Sequence, residues 1–390
     1  MTSVGAPAPT PLTAAAPPRG SRDSRGSWIP TPAMISTRFM ELRRRRGLMI
    51  ALIVVNIGIP TVFLLIRLLA HAIAPRSYGP AGGYDIYTNI VAGLMYVFGF
   101  IIAATLGCTA GSVDLTEGMF RHLVVTGRSR LALYLARIPA GLAIVVPLVA
   151  IGFTVVCAVC VLAAPKTLNY DGANVPAGLS LSGLEHWAAD HPNQVVCNFS
   201  YDQPISTNVS CGNGPGGPGG GVTIRGPAPS GAQPALTPAK TLAVRIAASD
   251  YADYRTHFLY PSDSLMVKSG LWIELEAVVG FIVGLGLASL MGQRTVPVIL
   301  LIVLELILTP ILSMHRIPHL SNLQRSIVGL ATAHLEPGGL PLAFSGGGGP
   351  GGHAASLLLP ESTTVAVSVI IAWLVVWTAL GAWRMMTRDA

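Results

Sequence analysis

An all-α integral membrane protein with six transmembrane helices is the fold class that the sequence predicts, and three observations predict it. Of 390 residues, 51% are hydrophobic and only 11% charged, less than half the charged share of about 25% found in soluble domains. The apolar residues gather into runs of about 20, the length an α-helix needs to cross roughly 30 Å of hydrocarbon. Basic residues sit beside those runs, where they fix topology.

Residues 1–31 are rich in Pro, Ala, Ser, Thr and Gly with too few large apolar side chains to offset the entropy of ordering, and are expected to be a disordered cytoplasmic tail. From Pro32 to Arg46, Ile35, Phe39 and Leu42 recur at i, i+4 and i+7, while Arg38 and Arg43 to Arg46 supply a cationic flank. That pattern predicts a helix lying on the inner membrane surface. Six apolar segments follow: Leu48 to Ala70, Ile86 to Leu106, Ile138 to Ala163, Leu271 to Leu290, Val296 to Met314 and Thr364 to Trp383. Ala72-Ile73-Ala74 has the small-x-small form of a signal-peptidase site, but the long leader and long apolar run argue against cleavage.

An even number of spans puts both termini on one side. With the amino terminus inside, the short cytoplasmic segments carry more than half of the basic residues, and Arg43 to Arg46 before the first span dominate. Both termini are therefore expected in the cytoplasm. Only Lys166, Lys240 and Lys268 are lysines, and with abundant Ala, Gly and Pro this composition points to a GC-rich bacterial genome, hence to a bacterial inner membrane.

The chain divides into the tail, a first membrane block (32–164), an extracytoplasmic insertion (165–268) and a second membrane block (269–390). Within the insertion, 212–238 is a Gly/Pro-rich linker. Its flanks carry Trp187, Phe199, Tyr201, Tyr251, Tyr254, Phe258 and Tyr260 and predict a small ordered cap. In the external loop 315–360, Leu320 to Leu335 reads as a short amphipathic helix before the Gly346-to-Gly352 run. No internal repeat is visible, which weighs against inverted-repeat carriers.

The formal charge of +7 does not indicate nucleic acid, because the arginines flank apolar runs and do not line a soluble basic face. Cys108, Cys157 and Cys160 fall in or beside apolar runs, where the small side chain packs. Cys157 and Cys160 have no ligating neighbour to make a metal or redox pair. No phosphate-binding G-x-x-x-x-G-K-[ST] loop, G-x-S-x-G elbow or H-E-x-x-H helix occurs, so no catalytic set, cofactor or metal site is expected on this chain. His315 and His319 have ligand spacing, but Pro318 breaks the helix that spacing requires. Asn198 and Asn208 match glycosylation acceptors, a chance match in a polar loop.

The informative stretch is the hairpin 112–130 after the second span. It places Asp114 four residues before Gly118, then an apolar group, then Ser129-Arg130, then Arg137 seven residues on. This resembles the membrane subunit of type 2 ABC transporter permeases, whose pattern runs acidic-x-x-x-Gly-Thr, apolar residues, Pro-x-Ser-Arg, and a later basic residue. Met119 stands where Thr is usual and Gly127 where Pro is usual. The resemblance implies a coupling helix that docks on a cytoplasmic ABC ATPase subunit, with Asp114, Glu117, Gly118, Phe120, Arg121, Arg128 and Arg130 at the contact. Phe120, Leu123 and Val124 offer an apolar anchor and the arginines a charged rim; the plainer reading is a loop whose arginines only enforce topology.

The resemblance further implies a permease subunit of an exporter, paired with a second permease as homodimer or heterodimer in the lipid bilayer, with ATP and Mg on the partner ATPase. Rival readings are a membrane-anchored extracytoplasmic binding or sensory protein, and an ion-coupled carrier. The carrier reading leans on Glu305, about ten residues into the fifth span and near mid-depth, where a bare carboxylate costs several kcal/mol. Asn56 lies at similar depth in the first span and is its expected partner. Glu274 and Glu276 fall in the first turns of the fourth span and are expected to stay wet, as carboxylates do at a helix amino end. Cys197 and Cys211, on the oxidising side, are expected to form a disulfide.

Overall fold

The computed structural model describes residues 28–74, 78, 81–116, 129–170, 173–198, 208–210, 223–225, 238–255, 257–314, 321–337, 340 and 361–387. A short helix, α1 (Pro32–Arg44), precedes three long ones, α2 (Arg46–Ile73), α3 (Tyr84–Val113) and α4 (Arg130–Leu162). The insertion then contributes the hairpin β1 (Leu168–Tyr170) and β2 (Ala173–Val175), helices α5 (Leu181–Asp190) and α6 (Pro192–Asn198), the hairpin β3 (Asn208–Ser210) and β4 (Thr223–Arg225), and α7 (Pro238–Tyr254). Next come α8 (Asp263–Met291) and α9 (Thr295–Leu312), the short α10 (Ser321–Arg325) and α11 (Val328–Ala333), and α12 (Thr363–Thr387). Helices α2, α3, α4, α8, α9 and α12 are long and apolar enough to cross a membrane. The chain is thus a helical, multi-pass membrane protein in which, among the described residues, strands are confined to the insertion.

Helix α8 is the central post. Ser262 caps its start, accepting from the Leu265 N–H at 3.3 Å, and Gly292 ends it in the left-handed conformation (φ 72°), its N–H returning to the Ala288 carbonyl at 2.8 Å. Only three residues, Gly292 to Arg294, separate it from α9, which makes the two antiparallel neighbours. Helix α3 packs along α8, and α12 and α4 flank it. Gly107 and Gly111 of α3, and Gly280 and Gly284 of α8, sit where any Cβ would collide with the facing backbone. Small residues at four-residue spacing let two apolar helices approach closely where lipid supplies no hydrophobic drive.

Three spans contain a π turn: Val54–Gly58 in α2, Asn89–Met95 in α3 and Leu304–Leu308 in α9. Those in α2 and α9 end two residues before Pro60 and Pro310, whose missing N–H groups interrupt the ladder. In α2 the freed Asn56 carbonyl is covered by Gly152 of α4, where a Cβ would strike it. In α9 the Leu304 carbonyl accepts both the Thr309 N–H and, at 3.0 Å, the Thr309 hydroxyl.

Helix α1 differs from a purely interfacial helix. Met34 buries against Ala132, Leu133 and Ala136 at the start of α4, and Arg38, also buried, pairs with Glu41 at 2.6 Å. Its inward face takes in Met34, Arg38 and Leu42, with Ile35 and Phe39 of the stripe expected from sequence packed beside them.

The insertion has its own core of Leu168, Tyr170, Val175, Leu184, Val195, Ile246 and Tyr254, among others. Tyr254 is its keystone, donating to the Pro176 carbonyl at 2.6 Å and accepting from the Leu179 N–H at 3.0 Å. The insertion joins the spans at Gly83, whose φ of 99° and close contact with the Leu259 carbonyl and Pro165 exclude a side chain. The Gly83 N–H donates to the Cys160 carbonyl at 2.9 Å and the Tyr84 N–H to that of Leu259 at 3.0 Å.

The segment expected as an amphipathic helix over 320–335 is two short helices, and α11 is buried on every side. It wedges against α9 and α12 and reaches α3 and α8 through hydrogen bonds. Irregular backbone buried among apolar helices survives only when its polar groups find partners. Side chains of three spans supply them: Tyr96 donates to the Gly329 carbonyl (3.1 Å), Trp272 Nε1 to that of Thr332 (2.8 Å) and Trp373 Nε1 to that of Ser326 (2.7 Å). In return Gln324 Nε2 donates to the Leu312 carbonyl at 2.9 Å. A helix buried all round shows no polar face in its sequence, which is why periodicity misread it.

Candidate functional site

Under α11 lies a group of buried polar side chains drawn from three spans. Glu276 comes from the middle of α8 and is 1% exposed; Glu305 comes from the π turn of α9 and is 0% exposed. The two carboxylates interact electrostatically, and both, with Glu336 just beyond α11, lie within electrostatic reach of the Tyr96 hydroxyl. Tyr96 is held by a parallel stack on Trp272, with ring centroids 4.7 Å apart and planes 11° apart. Trp272 stands one turn before Glu276, so α8 presents both the anchor for α11 and a carboxylate beneath it.

Glu305 abuts Gly329. A Cβ there would lie 2.9 Å from Glu305 Oε2 and 2.9 Å from Thr309 Oγ1, so the absence of a side chain at 329 makes room for the carboxylate. The Thr332 hydroxyl is within reach of Glu276. Its contacts, however, are to the Val328 and Gly329 carbonyls, at 3.2 and 3.1 Å, and to the Tyr96 hydroxyl at 3.3 Å. Among the described residues neither oxygen of Glu276 or Glu305 has a hydrogen-bond partner.

Beyond α11 the chain carries further titratable groups. Glu336 is partly exposed, and burial raises its carboxyl to about 8. His334 sits 3.9 Å from Glu361, whose side chain is 1% exposed. Among the described residues no group of three or more His, Cys, Asp or Glu side chains could hold a metal ion. Cys108, Cys157 and Cys160 are free thiols.

The residues singled out in the sequence fall in several places. Glu305 is buried in the bundle, but Asn56 is not its partner: the Asn56 amide donates to the Leu52 carbonyl at 3.0 Å, and its backbone lies against α4. Glu276 is not a wet helix-end residue, because α8 begins at Asp263 and places it thirteen residues inside; Glu274 is half-buried. Glu117, Gly118, Phe120, Arg121, Arg128 and Cys211, and the side chains of Asp114 and Cys197, lie outside the described residues, as do His315 and His319.

The roots of the hairpin are described. Arg137, 2% exposed, donates through Nη1 to the Gly111 carbonyl at 3.1 Å. Arg130 donates to the Met386 carbonyl at 3.1 Å. The ends of α3, α4 and α12 thus meet where the hairpin begins and ends. Sequence reading misplaced Glu276 and missed Tyr96 and Gly329; the available signal was an acidic residue one turn after a tryptophan in an apolar run. No family model matches the chain, and no curated protein or solved structure matches it.

Proposed function

We propose that this chain is the permease subunit of an ABC exporter, forming the substrate pathway and coupling through hairpin 112–130 to a separate cytoplasmic ATPase subunit. The observation that carries this reading is the clamp at the hairpin's roots. A force applied to the hairpin acts at once on α3 and α4 through Arg137 and Gly111, and on α12 through Arg130. Helix α1, packed on the start of α4, moves with them. A surface loop that served only topology would have no need of a buried guanidinium tying its two ends together.

In this reading ATP and Mg act on the partner, and closure of the ATPases pulls the hairpins. A cavity between this chain and a second permease, a copy of itself or a related chain, then changes the side to which it opens; ATP drives the change because it binds one state better. The chain sits in a bacterial inner membrane with both termini in the cytoplasm and the insertion outside. The test is purification of the tagged full-length chain from its native membrane. An ABC ATPase should co-purify, and transport in reconstituted vesicles should require ATP. Purification without an ATPase, with transport driven by an ion gradient alone, overturns the reading in favour of an ion-coupled carrier, which the pair Glu276 and Glu305 would then serve.

A further inference from the structure

Two carboxylates from different spans converge under α11, both more than nine-tenths buried and neither with a hydrogen-bond partner among the described residues. Transfer of an isolated carboxylate out of water is so costly that the group neutralises instead, and two like charges sharing a dry site cannot both persist. Among the described residues no cationic side chain belongs to the groups that act on either one. The facing groups are the Tyr96 hydroxyl from α3, the Thr309 hydroxyl from α9, the Thr332 hydroxyl from α11 and the Glu336 carboxyl beyond it. On the α12 side His334 lies 3.9 Å from Glu361. All of the hydroxyls already have oxygen partners, so they do not neutralise the pair.

We infer that Glu276 and Glu305 form a proton-binding site inside the bundle, a carboxyl pair that alternates between one shared proton and two. With one proton the pair carries a single negative charge; with two it is neutral. The second proton comes from water on the loop side and returns there, so no other reactant is needed. Glu336, partly exposed, lies in electrostatic reach of Tyr96 as the pair does. The π turn that carries Glu305 allows the exchange without unpicking a regular helix, since its backbone register is already shifted.

The test needs neither the transported substrate nor the ATPase. Dicyclohexylcarbodiimide partitions into apolar surroundings, where a protonated carboxyl gives its proton to a carbodiimide nitrogen and adds through oxygen to the central carbon. The O-acylisourea rearranges to a stable N-acylurea that peptide mass mapping locates. In the full chain in lipid nanodiscs at neutral pH, an adduct is expected on Glu276 or Glu305, and on one of them per chain. Absence of label from both, or its loss as soon as pH passes the ordinary carboxylate range near 4.3, overturns the site. In Glu305→Gln the labelling of Glu276 should be lost at a lower pH than in the unmodified chain, because its like-charged neighbour is gone; an unchanged profile overturns the sharing. Sodium chloride at constant pH should leave labelling intact, and protection by sodium would assign the site to a metal cation and overturn the proton reading. Should Glu305→Gln fail to fold, the unmodified chain still decides through the neutral-pH and sodium measurements.

Discussion

Arg137 Nη1 and the Gly111 carbonyl, 3.1 Å apart and buried, tie the start of α4 to the end of α3. The bond spans the hairpin whose residues carry the resemblance to ABC permeases, so it joins the proposed coupling element to the bundle. A charged hydrogen bond of this kind is worth about 1.5–3 kcal/mol net. Arg137→Met keeps much of the volume and removes the bond. Its thermal unfolding midpoint in detergent should fall, and any ATPase that co-purifies should remain bound while ATP-dependent transport drops. Unchanged transport in a folded variant would show that the clamp carries no force.

Phe120→Ala and Arg121→Glu act on the other side of the same junction. They should leave insertion and unfolding temperature unchanged, because these residues are proposed to touch the ATPase and not the bundle. ATPase co-purification and ATP-dependent transport should both fall. Normal binding and transport in both variants would remove the hairpin from the coupling path.

Glu336 gives a pH prediction outside the spans. Burial raises its carboxyl from 4.5 to about 8 in the folded chain, so the folded state binds more protons than the unfolded state in between. Stability must then fall as pH rises from about 4.5 to about 8 and level off above that, the sign required by proton linkage. Glu336→Gln, neutral at every pH, should flatten that part of the profile of unfolding temperature against pH. An identical profile in the variant would mean that another group sets it.

How far the sequence could be read differs from element to element. The spans were legible because hydrocarbon demands long apolar runs, and Glu305 was legible because a carboxylate stands out in such a run. Span ends were less so: α8 continues back to Asp263 through Ser264, Lys268 and Ser269, polar residues that hydropathy counts as loop. That shift of eight residues turned Glu276 from a helix-end group into a core one. Asn56 and Glu305 share a depth but face different neighbours, since depth follows from counting along a helix whereas azimuth follows from packing. The helix expected over 320–335 could not be read as the buried α11, because its burial depends on Tyr96, Trp272 and Trp373 from three other helices.

The contact between Gly329 and Glu305 offers the sharpest test of the site's geometry. Gly329→Ala puts a methyl group 2.9 Å from both Glu305 Oε2 and Thr309 Oγ1, closer than such atoms normally approach, and overpacking of this kind costs about 1–3 kcal/mol. Glu305→Ala removes the carboxylate and leaves space under α11, so the methyl should then cost less. The double variant should accordingly be more stable than the sum of the two single effects predicts, a coupling of about 0.5–3 kcal/mol for residues in direct contact. Thermal unfolding of the four proteins in one detergent measures it. Thr309→Ala serves as the second arm, relieving the other half of the collision while keeping both carboxylates. Strict additivity in both cycles would mean that α11 does not sit over Glu305, and the proton site drawn from that arrangement would fall with it.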